Sequence, residues 1–157
     1  MINKIISGGQ TGVDQGALDF ALETNIQSGG WCPKGRICET GQIPEKYPVT
    51  EVESDHYNLR TRLNVESADG TLLIIKDEYL DEGTRLTKEL CEKMKKPLKI
   101  IDALHVGHNM DATKDEFRKW IKKNSIKTLN VAGNRESNSP GIHNQTIQIL
   151  HTLLYNE

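Results

Sequence analysis

The sequence predicts an α/β domain of three layers, a mostly parallel central sheet with helices on both faces. Two observations carry this. Short apolar runs of buried-strand length alternate with segments whose apolar residues recur every three or four positions. Three polar, glycine-containing turns each stand between such a run and a helical segment. Right-handed crossovers bring turns of that kind to one edge of a parallel sheet.

Taken in order, Lys4 to Ser7 is a first strand, and Val13, Ala17 and Ala21 with Leu18 and Leu22 mark the helix that follows. The stretch from Ser28 to Ser54 holds Pro33, Pro44 and Pro48, four glycines and little periodicity. It reads as a long functional loop with one possible strand at Val49 to Val52. Arg60 and Arg62 fall on a helix. Thr71 to Ile75 is a buried strand, and Leu86, Leu90 and Met94 repeat every four residues until Pro97 ends that helix. Leu98 to Ile101 is the next strand, Phe117, Trp120 and Ile121 mark a helix, Lys127 to Ala132 is a strand, and Ile142 to Leu154 is the last helix.

The 157 residues fit one domain over 1–157, with no internal repeat or linker. Twenty basic and 22 acidic residues leave a net charge of -2, so no global attraction to nucleic acid follows. The longest apolar run is too short to cross a bilayer, and MINKIISGGQ lacks a signal-peptide core. Cys32, Cys38 and Cys91 are odd in number and lack CxxC spacing, which argues against a disulfide framework. The expectation is a soluble cytoplasmic protein without membrane or nucleic-acid partners.

The strongest local signal is the first turn, with Gly8, Gly9, Gln10, Thr11, Gly12 and Asp14. Glycines allow close backbone approach, and the helix behind offers free N–H groups and a positive dipole end, which suits a phosphate. The alternative is that Thr11 or Asp14 merely caps the helix. The turn matches neither GxGxxG nor GxxxxGK[ST]. The second turn contains Gly83, Thr84 and Arg85: Thr84 bonds a phosphate or caps a helix, and Arg85 clamps an anion or lies solvated. The third runs from Gly133, Asn134 and Arg135 to Ser139, Pro140 and Gly141. Ser139 is there the expected N-cap and Pro140 the first helical residue. Three such turns on one edge define a candidate site for an anionic small molecule, with Lys34, Arg36 and Arg60 as further cations. His105 and His108 lack a third ligand, so no structural metal is expected. No catalytic triad, nucleophile elbow or carboxylate pair stands out, so no catalytic residue is assigned.

Together, GGQTGVDQGALD (8–19), GGWCPKGR (29–36), IPEKYP (43–48), RTRLNV (60–65), GTRLT (83–87) and LNVAGNRESNSPGI (129–142) resemble the molybdenum cofactor carrier proteins. These belong to a wider Rossmann-like group that includes the lysine decarboxylase-like, cytokinin-activating phosphoribohydrolases. The resemblance implies a Rossmann-like fold, molybdenum cofactor (molybdopterin) as bound cargo, and a homodimer or homotetramer. It leaves any recipient molybdoenzyme unidentified. On that reading the first and third turns hold phosphate or molybdate oxygens, Thr84, Arg85 and Arg135 add charge-assisted bonds, and the Trp31 to Arg36 loop covers the ligand. The chain departs from the family pattern at Glu82, where a glycine is common, at Leu63, where Trp is common, and at Asn134, where Pro is common. Two alternatives are a nucleotide-binding sensor and a nucleoside 5'-monophosphate phosphoribohydrolase. The hydrolases resemble one another in a PGGxGTxxE loop. Aligning its GT on Gly83 and Thr84 puts Thr87 where the glutamate belongs, with Glu89 two residues on. A threonine hydroxyl does not replace a carboxyl acid or base, which favours a binding protein.

Overall fold

A computed structural model describes residues 1–56 and 58–155. In chain order its elements are β1 (Lys4–Ile6), α1 (Val13–Thr24), β2 (Gln27–Gly29), β3 (Trp31–Cys32), β4 (Ile37–Cys38), β5 (Gly41–Gln42) and β6 (Thr50–Glu51). There follow α2 (Leu59–Ser67), β7 (Gly70–Ile75), α3 (Glu82–Lys93), β8 (Leu98–Asp102), α4 (Met110–Lys123), β9 (Thr128–Gly133) and α5 (Ile142–Leu154). The central sheet has the order β2-β1-β9-β7-β8, and every pairing in it is parallel. This is a Rossmann-like three-layer arrangement, with α1, α4 and α5 packed together and α2 against α3. Parallel strands need crossover helices that cover both faces, which is why β7 reads as an unbroken apolar run and is buried throughout.

Alternation along β9 shows how the layers divide. Leu129 and Val131 join the main core with Val13, Phe20, Phe117, Ile142 and Leu150, and the intervening Asn130 turns to the other face, beside Thr71. A second, smaller core lies under the segment expected to be a loop: Cys32, Cys38, Ile43, Tyr47 and Val49 close on Leu18 of α1. That segment carries two small sheets, β3 beside β6 and β4 against β5. Arg36 holds it shut, donating to the carbonyls of Pro44 (2.8 Å), Val49 (3.0 Å) and Tyr47 (3.1 Å). All three cysteines are buried thiols.

The strand after α1 is a correction to the expected element list, because β2 pairs with β1 and forms one edge of the sheet. Its sequence, Gln-Ser-Gly, has no apolar alternation to announce it. The expected cap of α5 also differs. Ser139 is not the N-cap; Gly141 is, at φ 89°, and the helix begins at Ile142. The Ser139 hydroxyl is turned instead toward the Asn134 amide, 3.0 Å away, and Glu136 receives the free N–H groups of Gly141 and His143.

Candidate functional site

The turns after β1, β7 and β9 meet at the carboxyl ends of neighbouring strands and enclose one cleft. This is where strand order reverses in open α/β sheets and where their ligands bind. Of the residues singled out in the sequence, Gly8, Gln10, Asp14, Arg60, Gly83, Thr84, Gly133 and Arg135 line it. Thr61, Asn64, Asp81, Thr87, Asn130 and Ala132 complete the wall. Sequence reasoning placed Asp81 in the second turn, Asp81 to Arg85, without giving it a role, and passed over Asn130, although each left a trace. Asp81 stands three residues before Thr84, the spacing of a helix cap, and Asn130 interrupts an apolar strand at an inward position.

Several expected ligand contacts lie elsewhere for identifiable reasons. Arg36 spends its guanidinium on the carbonyls named above, and Lys34 is exposed on the same arm. That arm is pinned to α2 by Asn64, which bonds the Trp31 main chain from both ends of its amide. Arg85 is exposed and donates to the Leu80 carbonyl at 3.3 Å. Gly9 packs under Ile43. Thr11 and Gly12 border a separate shallow depression with Glu39 and His143. At Gly12 (φ 81°) a Cβ would stand 2.4 Å from the Asn134 carbonyl oxygen, so glycine is required for loop-to-loop contact. Gly8 is the glycine of the first turn that faces the cleft, where a Cβ would meet the Arg60 guanidinium.

The N–H groups of these turns are directed at carboxylates of the protein itself. Asp81 caps α3, accepting from the Thr84 N–H at 3.0 Å. Its other oxygen accepts from the Arg135 N–H at 2.8 Å and from Asn138 Nδ2 at 3.2 Å. Asp14 accepts from the Gln10 N–H at 3.2 Å. Glu39 accepts from the Ser137 N–H and hydroxyl and from the Thr11 hydroxyl. Burial pushes Glu39 upward, but these hydrogen bonds outweigh it and hold the carboxyl below its usual range. Helix N-termini attract anions, and here carboxyl side chains take up that attraction.

Three features stay open to a ligand. Two arginines reach the cleft with loose partners: Arg60 Nη1 lies 3.6 Å from Asp14, and Arg135 Nη1 lies 3.9 Å from Glu39. Two buried polar atoms, Thr84 Oγ1 and Asn130 Oδ1, have no hydrogen-bond partner among the described residues. Each such atom costs about 1–3 kcal/mol unless something pairs with it. Lastly, burial pushes the Asp14 carboxyl up to about 6; Arg60 opposes the rise and the nearby Asp81 adds to it. Thr87 also borders the cleft, but its hydroxyl donates to the Gly83 carbonyl at 3.0 Å. Among the described residues there is no cluster suited to holding a metal ion, and no helix is long and apolar enough to cross a membrane.

Fold and cleft together define a Rossmann-like domain with a polar cleft at the strand ends. The chain belongs to the circularly permutated YpsA SLOG family, whose model matches residues 5–154. Its structure is similar to a crystal structure from Syntrophus aciditrophicus of a protein named "Putative molybdenum carrier protein". The two chains are 41% identical and align with a TM-score of 0.89 over 98% of this chain and 95% of that one. No curated protein matches.

Proposed function

We propose that this protein binds and carries an anionic, phosphorylated small molecule, with molybdenum cofactor as the leading cargo. The observation that carries the reading is the cleft itself, where two under-used arginines and two unpaired buried polar atoms converge at the strand ends. The name of the Syntrophus aciditrophicus relative supports the choice of cargo. In this reading Arg135 and Arg60 take the anionic groups through charge-assisted bonds. The open volume inside the cleft is about 40 Å³, room for one small group of the ligand. The remainder of a cofactor lies along the rim. The protein acts as a homodimer or homotetramer, which sedimentation analysis measures. Mass spectrometry of freshly purified protein after mild acid denaturation tests the cargo. A pterin phosphate recovered at near-stoichiometric amount supports the reading, and recovery of a nucleotide alone overturns the choice of cargo.

One observation favours a second reading, hydrolysis of nucleoside 5'-monophosphates. A carboxyl pushed up to about 6 within a cleft, as at Asp14, suits general acid–base chemistry near neutral pH. Glu89, the nearest glutamate to the expected catalytic position, is exposed on α3 and does not line the cleft. Release of free base from AMP that disappears in Asp14→Asn establishes this reading; release at background supports a carrier.

A further inference from the structure

The cleft differs in character between its floor and its rim, and the difference bears on which end of a ligand enters. Resting on the reading of this cleft as a small-molecule site, we infer that its floor accepts a hydrogen-bond-donating group of the ligand, an amine or hydroxyl, and that the oxyanion stays at the rim with Arg135.

The floor is rich in acceptors. Asn130 Oδ1 is an acceptor only, is buried, and has no partner among the described residues; its amide nitrogen is engaged with Thr71 Oγ1 at 3.2 Å. Thr84 Oγ1 is equally buried and unpaired, and as a hydroxyl it both donates and accepts. The side chains of Asp14 and Asp81 border the same space. An oxyanion seated on this floor would face two carboxylates and one lone amide oxygen. It would find the nearby N–H groups of Thr84 and Arg135 already bonded to Asp81. An amine or hydroxyl entering there supplies the donor that Asn130 Oδ1 lacks and a partner for Thr84 Oγ1, beside two carboxylates. The Arg60 guanidinium lies over Gly8 beside Asp14, and Arg135 is more exposed. Positive charge is therefore stacked toward the opening. The ligand class is a compound with an N–H- or O–H-bearing head and an anionic tail, a description that a pterin phosphate and a nucleotide both satisfy.

Titration calorimetry with four probes tests this: 6-hydroxymethylpterin and guanosine, which carry donors without phosphate, and inorganic phosphate and molybdate, which carry charge without such a head. Thr84→Val is the informative variant. The hydroxyl it removes has no partner among the described residues, so the fold loses no described bond, and thermal melting confirms it. The expected result is that one phosphate-free probe binds, its identity separating a pterin from a nucleoside. Thr84→Val weakens that probe roughly tenfold, and Thr84→Ser restores it. Inorganic phosphate is expected to be indifferent to Thr84→Val and to be lost in Arg135→Ala. The inference is overturned if neither phosphate-free probe binds, or if Thr84→Val leaves that binding unchanged, or if it weakens inorganic phosphate equally. A failure of the cleft reading itself looks different: phosphorylated ligands then bind with affinity insensitive to both Thr84→Val and Arg135→Ala.

Discussion

Arg36 and Arg60 are both cations that the sequence offers to a bound anion, yet the molecule uses them in opposite ways. On the arm spanning residues 30–54, Arg36 bridges three carbonyls and so holds a small core closed. At the cleft, the Arg60 guanidinium makes one long ion-pair contact among the described residues, to Asp14. What distinguishes a binding region from a structural one here is spare hydrogen-bonding capacity. Both regions carry cations and glycines.

The largest expected effect breaks the arm. Arg36→Ala removes three charge-assisted hydrogen bonds from the arm and is expected to cost about 4 kcal/mol of stability, read by urea unfolding. A loss below about 1 kcal/mol would mean that the arm does not depend on its arginine. Next in size, Asp14→Asn should stabilise the protein at pH 8. The folded carboxyl is raised from 3.8 to about 6, so its favourable contribution is complete below its unfolded pKa and is lost as pH rises through 6. Ionised Asp14 therefore costs about 3 kcal/mol at pH 8, and the gain from Asn fades toward pH 4. Melting temperatures across that range check the sign. Arg135→Ala comes third. It should weaken an anionic ligand by roughly 1.5–3 kcal/mol while moving the melting temperature little, since its link to Glu39 is long and half-exposed. A clear melting loss with unchanged affinity would make it a second Arg36. The smallest effect is Arg60→Gln, which should shift the Asp14 titration upward from about 6, because Arg60 is the main group opposing the rise. Carboxyl chemical shifts followed by NMR against pH read this directly.

The layers and most elements were legible in the sequence because burial on both faces writes β7 and β9 as apolar runs, and amphipathic helices write their period. Gln27–Gly29 was not, since an edge strand of three small or polar residues carries no pattern. Of the arm, only the possible strand at Val49 to Val52 was legible, and β6 (Thr50–Glu51) lies there; the other two-residue strands depend on Arg36 and on Leu18 beneath them. In the site, the glycine turns located the cleft, but which cations reach it depended on competition with carbonyls. No local rule reports the use of Arg36 by Pro44, Tyr47 and Val49. Gly141 likewise displaced the expected Ser139 cap because its positive φ turns the chain two positions later.

Asn134 carries a consequence of its own. Its buried side chain accepts from the Asp81 N–H at 3.0 Å and donates to the Tyr79 carbonyl at 2.8 Å and to the Ser139 hydroxyl at 3.0 Å. Its main-chain oxygen accepts from the Val13 N–H at 3.2 Å. Three stretches of chain far apart in sequence, at Val13, at Tyr79 to Asp81 and at Asn134 to Ser139, thus share one fastener. The amides of Val13 and Asp81, 68 positions apart in the chain, should then exchange with deuterium through one opening event and at a common rate. With Asn134→Ala, that shared clock splits into separate ones, and the edge of the sheet stops moving as a unit.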